Sequence, residues 1–351
     1  MKTIRDFNLK NKRVLVRCDF NVPLDNQGNI LDDSRIKETL PTIEYLVKEK
    51  AKIVLMSHLG DPGGKVVDGL KLDKVQEKLL EYLDLSITKA PDCVGGEIEE
   101  YTKKLQVGEI LLLENLRFHK EEIKGDLSFA RALSQLGDIY INDAFGICHR
   151  PHASVVGIPK YLPSGIGFLL EKEIKNLEKI LKNPEKPMVT IIGGKKVEAK
   201  SKLINKILEI TDFLLVGGLI KNEMEKTGMK VKYPEKLILP VDGIKINGEN
   251  FDIGEKTIIL FKEKVQEAKT IFWNGPLGMI EKEEFSKGTL EIAKAVIDSK
   301  AFSVVGGGET IEFLNRKGIS SKFSHVSTGG GAMLEFITEG EELPGLKVLK
   351  H

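Results

Sequence analysis

The feature that most constrains the fold is a motif that occurs twice between residues 301 and 335. In each copy a short apolar or β-branched run, at 302–305 and at 325–327, leads into three consecutive glycines and then into a helical pattern. Such a turn lets the backbone approach an anion closely, at the positive end of the helix dipole. One glycine triplet alone is more often only a flexible turn, but two copies beside matching strands predict a site for a polyphosphate.

The same alternation of short apolar strands and helical patterns runs through the whole chain and is typical of parallel α/β sheets. With 351 residues the chain exceeds the usual size of a single core, so two domains are expected. We predict an N-terminal domain at 1–167, an interdomain helix at 168–183 and a C-terminal domain at 184–336. Further predicted strands lie at 13–18, 52–57, 109–114, 138–142, 188–192, 213–216 and 270–273.

The predicted interdomain helix is amphipathic. Leu170, Ile174, Leu177 and Leu181 recur at spacings of four, three and four residues, which places them on one face of a helix. Pro184 would end the helix. A surface helix within one domain is the alternative, and the length of the chain favours a linker.

Charged and polar side chains follow the strands of the first half. Because ligands of an open parallel sheet bind beyond the carboxyl ends of its strands, we expect these groups to converge at one edge. Each arginine alone would more often be a solvated surface charge. Together with short polar acceptors, the arginines predict a pocket for a small, multiply anionic, hydroxylated molecule. The residues are Asp19, Asn21, Arg35, His58, Arg117 and Arg150.

The strands of the second half lead into glycines instead. Gly193 and Gly194 follow the strand at 188–192, Gly217 follows the strand at 213–216, and Asn274 follows the strand at 270–273. One domain would thus hold a compact acid through side-chain charge, and the other would hold a nucleotide polyphosphate through backbone amides. Two such domains facing each other across a hinge suit group transfer between two bound substrates.

Lysines and glutamates add charge to the second half. Lys196 and Lys200 follow the first glycine pair, where lysine commonly neutralises phosphate oxygens. Glu309 is placed to hold a hard divalent cation, or it is only a favourable charge in the first turn of a helix. Glu281 could bond a ribose or belong to a charged run. The absence of GxxxxGK[ST] there, and of GxGxxG after any strand, counts against a P-loop NTPase and a dinucleotide dehydrogenase.

Composition bounds the partners and the compartment. Lys plus Arg number 53 and Asp plus Glu number 52, which argues against a nucleic-acid or polybasic membrane surface. The charged N-terminal segment lacks the apolar core of a signal peptide, and no apolar run approaches membrane-spanning length. Three scattered cysteines without CxxC spacing predict reduced thiols and a cytoplasmic protein. A metal site at Cys148, His149 and His152 is possible but lacks a second ligand pair.

A series of motifs along the chain resembles one known family. In order, the motifs are RVLVRCDFNVPL, DDSRIKETLPTI, VLMSHLG, LLLENLRF, YINDAFGICHRPHAS, IGGKKVEAK, WNGPLGMIE, VVGGGET and SHVSTGGG. They resemble phosphoglycerate kinase essentially from end to end. The resemblance implies a monomer with two Rossmann-like domains, joined by a hinge helix, whose C-terminal tail at 337–351 returns to the first domain. It also implies reversible glycolytic phosphoryl transfer between 1,3-bisphosphoglycerate and ADP, giving 3-phosphoglycerate and ATP, with Mg²⁺.

The resemblance also implies roles for single residues. The six polar residues of the first half would bind phosphoglycerate, and Arg35, Lys196 and Lys200 would be catalytic. Glu309 would hold the metal. The expected nucleotide-binding residues are Gly193, Gly194, Lys196, Lys200, Gly217, Asn274, Glu281, Gly306, Gly307, Gly308, Glu309, Thr310, Gly329 and Gly330.

The chain departs from the family pattern at two functional positions. Asp61 stands where the family has an arginine near the phosphate of the acid, so an anion replaces a cation. Glu309 stands where the family has a metal-binding aspartate, which keeps the charge and adds a methylene. The leading hypothesis is an active phosphoglycerate kinase. The alternative is a weakened relative that binds nucleotide without efficient transfer.

Overall fold

The computed structural model describes residues 1–194 and 201–350, and within these ranges the backbone forms two compact units. Unit 1 contains Met1–Glu173 and the C-terminal segment from Glu341, and unit 2 contains Ile174–Gly340. Each unit is built on a parallel sheet with helices. The predicted fold class, two α/β domains with parallel sheets, is confirmed.

The sheet of unit 1 has six strands in the described part of the chain: β1 (Arg13–Arg17), β2 (Lys52–Met56), β3 (Ile87–Lys89), β4 (Ile110–Leu112), β5 (Ile139–Asn142) and β6 (Ser164–Ile166). They pair in parallel in the order β3-β4-β2-β1-β5-β6. Val14, Leu15 and Val16 of β1 are all fully buried. Helices cover both faces of such a sheet, so its central strands are continuous apolar runs.

The helices of unit 1 direct apolar side chains at this sheet. In the first of them Ile36, Ile43 and Leu46 share one face and belong to the same buried cluster as β1 and β2. A one-sided apolar stripe of this kind fixes which face of a helix meets the core. The helices are α1 (Ser34–Lys48), α2 (Asp73–Tyr82), α3 (Gly96–Lys104), α4 (Lys120–Lys124), α5 (Leu127–Ser134) and α6 (Phe168–Lys182).

Helix α6 is the predicted interdomain helix, and the division between the two units falls inside it, after Glu173. It ends at Lys182, two residues before the proline that was expected to stop it. Leu170, Ile174 and Leu177 are buried as predicted, but Leu181 is only half-buried. Ile180, one residue earlier, is fully buried and continues the apolar face instead.

The main sheet of unit 2 also has six parallel strands within the described residues, in the order β14-β13-β12-β7-β8-β9 when numbered along the chain. A separate antiparallel hairpin joins β10 to β11. These strands are β7 (Met188–Ile192), β8 (Phe213–Val216), β9 (Leu237–Ile238), β10 (Gly243–Ile246), β11 (Glu249–Ile253), β12 (Thr270–Asn274), β13 (Phe302–Gly306) and β14 (His325–Val326).

The remaining helices complete both units. Those of unit 2 are α7 (Ser201–Ile207), α8 (Gly218–Thr227), α9 (Glu255–Glu267), α10 (Lys287–Ser299), α11 (Gly308–Arg316) and α12 (Gly330–Glu339), and α13 (Pro344–Lys347) follows in the C-terminal segment. In that segment the Gly345 amide donates to the Cys148 carbonyl (2.8 Å), which ties it to unit 1. Over the described ranges no helix combines the length and apolar character needed to cross a membrane.

Candidate functional site

Four of the predicted acid-binding residues are joined around Gly60, in the loop after β2. The Gly60 amide donates to Asn21 Oδ1 (2.8 Å), and Arg117 Nη1 donates to the Gly60 carbonyl (2.8 Å). Arg35 Nη1 donates to the Asn21 carbonyl (2.6 Å) and lies 3.5 Å from Asp19 Oδ2. The carboxyl ends of the strands therefore bring these side chains together. We call Asp19, Asn21, Arg35, His58, Arg117 and Arg150 the acid site.

A buried asparagine holds two loops of the acid site in register. Asn115 is fully buried, and its amide donates to the carbonyls of Leu59 (2.8 Å) and Leu70 (2.9 Å). Its side-chain oxygen accepts from the backbone amides of Leu59 (3.2 Å) and Arg117 (3.1 Å). The loop after β2 and the turn after β4 are thereby fixed against each other, which positions Arg117.

The histidines of this region are neutral at neutral pH. Burial, followed by the charge of Arg17, lowers the pKa of His58 well below its usual value. The same two causes lower the pKa of His152 to about 3, and burial and then Arg150 lower the pKa of His149 to about 4. The positive charge of the acid site therefore comes from its arginines.

Sequence reasoning missed Arg17, the last residue of β1. Its side chain is fully buried, and Nε donates to Ser154 Oγ (2.8 Å) while Nη2 donates to His58 Nδ1 (3.2 Å). Nη1 donates to the Cys18 carbonyl, and Nη2 lies 3.7 Å from the fully buried carboxylate of Glu122. The signal was present: an arginine inside the apolar run RVLVRC needs buried partners.

Arg150 and the residues around it lie at the end of β5. Arg150 is exposed, and its charge lowers the pKa of His149 and of His152; its predicted role in the acid site stays a prediction. Burial raises the pKa of the Cys148 thiol to about 12, and Cys148 Sγ donates to the Ala144 carbonyl (3.4 Å). Among the described residues, Cys148, His149 and His152 do not come together as metal ligands, so the possible metal site there is not formed.

The two glycine triplets lie against each other in unit 2. Gly307 precedes α11 with φ of +101°, a conformation that L side chains rarely adopt. A Cβ atom added to Gly330, the first residue of α12, would lie 3.0 Å from Gly307 Cα. The helix starts of α11 and α12 are thus adjacent. We call Asn274, Thr310, Gly306, Gly307, Gly308, Gly329 and Gly330 the glycine-turn site.

Two buried polar atoms of the glycine-turn site lack hydrogen-bond partners among the described residues, Asn274 Nδ2 and Thr310 Oγ1. Thr310 is fully buried and Asn274 is 3% exposed. Measured from a Cβ position built on Gly307, the two atoms lie 3.3 Å and 3.6 Å away. A buried polar atom that the protein leaves unsatisfied is costly, so two of them beside a helix N-terminus suit an anionic ligand.

The glycines after β7 and β8 bond to neighbouring segments of the chain through their backbone amides. The Gly193 amide donates to the Asn274 carbonyl (2.9 Å), Gly194 to the Pro276 carbonyl (2.8 Å) and Gly217 to the Ile192 carbonyl (2.9 Å). A Cβ atom at Gly193 would overlap the Pro276 carbonyl oxygen. These amides are therefore occupied within the chain, and their predicted binding roles stay predictions.

Two of the four remaining predicted residues lie at the surface of unit 2. Glu309 is exposed in the first turn of α11, and Glu281 is exposed in the loop before α10. Lys196 and Lys200 lie outside the described residues. The roles assigned to these four residues stay predictions.

Arginines at the edge of one parallel sheet, and glycine turns at helix starts on a second, are typical of an α/β enzyme that handles phosphorylated substrates. A family model described as phosphoglycerate kinase matches residues 4–238 and 225–341. The phosphoglycerate kinase of Finegoldia magna is 43% identical, with 98% of each chain covered, and that of Borreliella afzelii is 44% identical, with 100% of this chain and 99% of the relative covered.

Solved structures agree with these relatives. The phosphoglycerate kinase from Pyrococcus horikoshii matches with a TM-score of 0.88 at 34% identity, over 100% of this chain and 98% of that one. The phosphoglycerate kinase from Coxiella burnetii matches with a TM-score of 0.84 at 34% identity, over 99% and 98%. The chain belongs to the phosphoglycerate kinase family.

Proposed function

We propose that this chain is a glycolytic phosphoglycerate kinase, which transfers a phosphoryl group reversibly between 1,3-bisphosphoglycerate and ADP. Full-length membership of the family supports the reaction. The assignment of one substrate to each site rests on the different groups that the two sites present. The acid site of unit 1 presents guanidinium groups, and the glycine-turn site of unit 2 presents helix N-termini with unsatisfied buried donors.

The acid site would bind 3-phosphoglycerate through its arginines. Arg35 and Arg117 each use one nitrogen on a backbone carbonyl, which leaves further N–H groups for a phosphate or carboxylate. Arg117 Nε is buried and has no hydrogen-bond partner in the described part of the chain. The neutral imidazole of His58 would add a hydrogen bond to a substrate oxygen rather than a charge.

The glycine-turn site would bind the phosphates of the nucleotide. Asn274 Nδ2 and Thr310 Oγ1 would donate to phosphate oxygens, together with the free N–H groups at the start of α11. Gly307 keeps this approach open, because a Cβ atom there would lie within 4 Å of both donors.

Glu309 would hold the Mg²⁺ that accompanies the nucleotide. The fit rests on its chemistry and place: an exposed carboxylate, one residue from Gly308, in the first turn of the helix that carries Thr310. Mg²⁺ commonly takes one or two carboxylates together with substrate phosphates. When bound, the ion supplies neutralisation of the negative charge on the phosphate oxygens.

The reaction needs no general base from the chain. The acceptor is a carboxylate that is already ionised at pH 7, so the protein has to position the substrates and neutralise charge on the transferring group. Arg35 would supply part of that charge from the acid site. Lys196 and Lys200, outside the described residues, would supply the rest.

A coupled assay tests the proposal directly. The purified chain should consume ATP in the presence of 3-phosphoglycerate and Mg²⁺, and Arg35→Ala should lower the rate by at least about tenfold. A chain that binds ATP but gives no acid-dependent turnover would support the weakened relative instead; no feature of the relatives or of the described residues favours that alternative. We further propose a cytoplasmic monomer, which sedimentation in solution would test.

A further inference from the structure

A second polar cluster lies in unit 1, beyond the carboxyl ends of β3 and β4. Asp92 and Cys93 follow β3, and His119 follows the turn after β4. Each residue offers one ligand atom, and the carboxylate oxygen, thiol sulphur and imidazole nitrogen all lie within 4.8 Å of one another. Asp92 Oδ1 and His119 Nε2 are 2.7 Å apart. None of these residues belongs to the acid site.

The backbone holds the cluster in place. The Cys93 amide donates to Asp92 Oδ1 (2.6 Å), and the Glu114 amide donates to the Asp92 carbonyl (3.3 Å). The first contact orients the Asp92 carboxylate within the loop, and the second fixes the loop against the end of β4. Such outer contacts orient the donor atoms of a metal site before the metal arrives.

The cluster is open to solvent on one side. Cys93 is fully buried, whereas the side chains of Asp92 and His119 are 49% and 28% exposed. Asp92 and His119 line a surface cavity of about 130 Å³ together with Pro91 and Phe118. A metal ion would therefore have an entry path and room for one water molecule.

We propose that Asp92, Cys93 and His119 form a binding site for Zn²⁺ or a similar divalent transition metal. Sulphur, imidazole nitrogen and carboxylate oxygen together are the donor set that Zn²⁺ takes in proteins, whereas Mg²⁺ prefers oxygen alone. On binding, the Cys93 thiol gives its proton to water. The hydrogen that His119 Nε2 donates to Asp92 Oδ1 moves to Nδ1 by way of water, and Nε2 then exchanges its contact with Asp92 for the metal. A water molecule from the cavity completes a tetrahedral site.

Glu114 lies near the cluster but is not available as a fourth ligand. Its Oε2 binds Lys89 Nζ (2.5 Å), and its Oε1 accepts from the amides of Leu72 (2.9 Å) and Asn115 (2.8 Å). The metal would tether the loop after β3 to the turn after β4. Because His119 is two residues from Arg117, this tether would stiffen the segment that carries an acid-site arginine.

Cobalt titration of the metal-free, full-length protein tests the proposal. Tetrahedral Co²⁺ bound to a thiolate gives a sulphur-to-cobalt charge-transfer band and intense visible bands, which we expect to saturate at one equivalent and to disappear when Zn²⁺ is added. Cys93→Ser and His119→Ala should each abolish or shift the bands. Cys148→Ser is the matched control, because Cys148 is equally buried but lies away from the cluster, and it should keep them.

The site would be overturned by a wild-type chain without the charge-transfer band, or by bands that persist unchanged in either ligand variant. Thermal melting would show that each variant is folded. If Cys93→Ser does not fold, His119→Ala decides the question, since this side chain is partly exposed and tolerates truncation better. A charge-transfer band that Cys148→Ser removes would also contradict the assignment.

Discussion

At the scale of single residues, the arginines of the acid site carry its positive charge, whereas its histidine is neutral and offers only a hydrogen bond. Arg35 and Arg117 are half-buried in unit 1 and have N–H groups to spare for a ligand, while His58 is buried and neutral. Arg17 contributes both properties: its charge depresses the pKa of His58, and its Nη2 donor requires an unprotonated Nδ1 on that ring. We therefore expect guanidinium groups to balance the charge of a bound substrate at any pH near neutrality.

Asp61 adds a negative charge near Arg117. Burial and Arg17 lower the pKa of Arg117, whereas the charge of Asp61 raises it, so Asp61 lies close enough to Arg117 to act on it. We expect Asp61→Arg to lower the KM for 3-phosphoglycerate by roughly two- to fivefold, which matches an exposed charge contact. Steady-state kinetics at low salt would measure it. Asp68→Arg makes the same charge change at an exposed helical turn and should leave the KM unaltered; equal effects of both variants would refute the assignment.

At Thr310 an effect on nucleotide binding can be measured apart from an effect on folding stability. Its hydroxyl is buried and unpartnered within the described residues, so Thr310→Val should leave the melting temperature unchanged or raise it. The Kd for the nucleotide should rise by roughly two- to tenfold, because one hydrogen bond to phosphate is lost. Thr190→Val is the matched control, since Thr190 is also fully buried, and its hydroxyl also has no partner among residues 1–194 and 201–350, but it lies within β7. A Kd that is the same in both variants would argue against a phosphate at Thr310.

At the scale of elements, the apolar runs predicted the long buried strands, and the short edge strands were missed. Strands β3, β6 and β9 contain two or three residues each and carry too few apolar side chains to give a pattern. The β10–β11 hairpin had a readable signal. Asn247 and Gly248 between the two strands both have positive φ, at 49° and 86°, as an Asn-Gly hairpin turn requires.

The sites were predictable to different extents. Polar residues just after strands can be read from the sequence, because all strands of a parallel sheet end at one edge. Asn115 and Arg17 act through contacts between loops that lie far apart in the chain, and those contacts depend on tertiary packing. The occupied amides of Gly193 and Gly194 were missed for the same reason.

Adding one methyl group at Gly307 tests whether the glycine turn before α11 approaches the phosphates. Gly307→Ala should cost about 1–3 kcal/mol of folding stability because of its positive φ, and it should also abolish nucleotide binding. Gly318→Ala also places a side chain at a positive φ, of +67°, with no atom within 4 Å of the added Cβ, and should lose stability only. Denaturant unfolding and calorimetry on both variants measure the two effects. Normal nucleotide affinity in Gly307→Ala would show that the turn does not approach the phosphates.

The first turn of helix α6 bonds the buried carboxyl group of Asp143, and the protonation of this group depends on pH. Asp143 Oδ1 accepts from the Leu170 amide (3.1 Å). Burial raises the pKa of Asp143 from 3.8 to about 7, although hydrogen bonds from Thr42 and from the amides of Leu170 and Leu169 oppose the shift. The folded state thus binds this proton more tightly than the unfolded state, so its stabilising contribution is complete below pH 3.8 and is lost as pH rises through about 7.

The variant Asp143→Asn tests that dependence. Between about pH 4 and pH 7 the stability of the wild type should fall relative to the variant, by about 1.4 kcal/mol for each unit of pKa difference. The histidines with lowered pKa act in the opposite direction but are present in both proteins, so they cancel. Chemical denaturation across this range provides the measurement, and a constant difference would show that Asp143 is ionised throughout.

At the scale of the whole molecule, the two units differ in the groups that they offer to an anion. Unit 1 offers an anion the side-chain charges of arginines, and unit 2 offers it helix N-termini and neutral donors. We therefore expect each substrate to bind to its own unit, through contacts that do not depend on the other substrate. The hinge motion that would bring the two substrates together stays a prediction.

Calorimetric titration of two variants of the full chain tests this division most directly. Arg35→Ala should raise the Kd for 3-phosphoglycerate by at least about tenfold, because a charged hydrogen-bond donor is lost, and should leave the Kd for MgADP unchanged. Asn274→Ala should raise the Kd for MgADP and leave the Kd for 3-phosphoglycerate unchanged. If either variant weakens both ligands equally, or if Arg35→Ala weakens only the nucleotide, the assignment of one substrate to each unit is wrong.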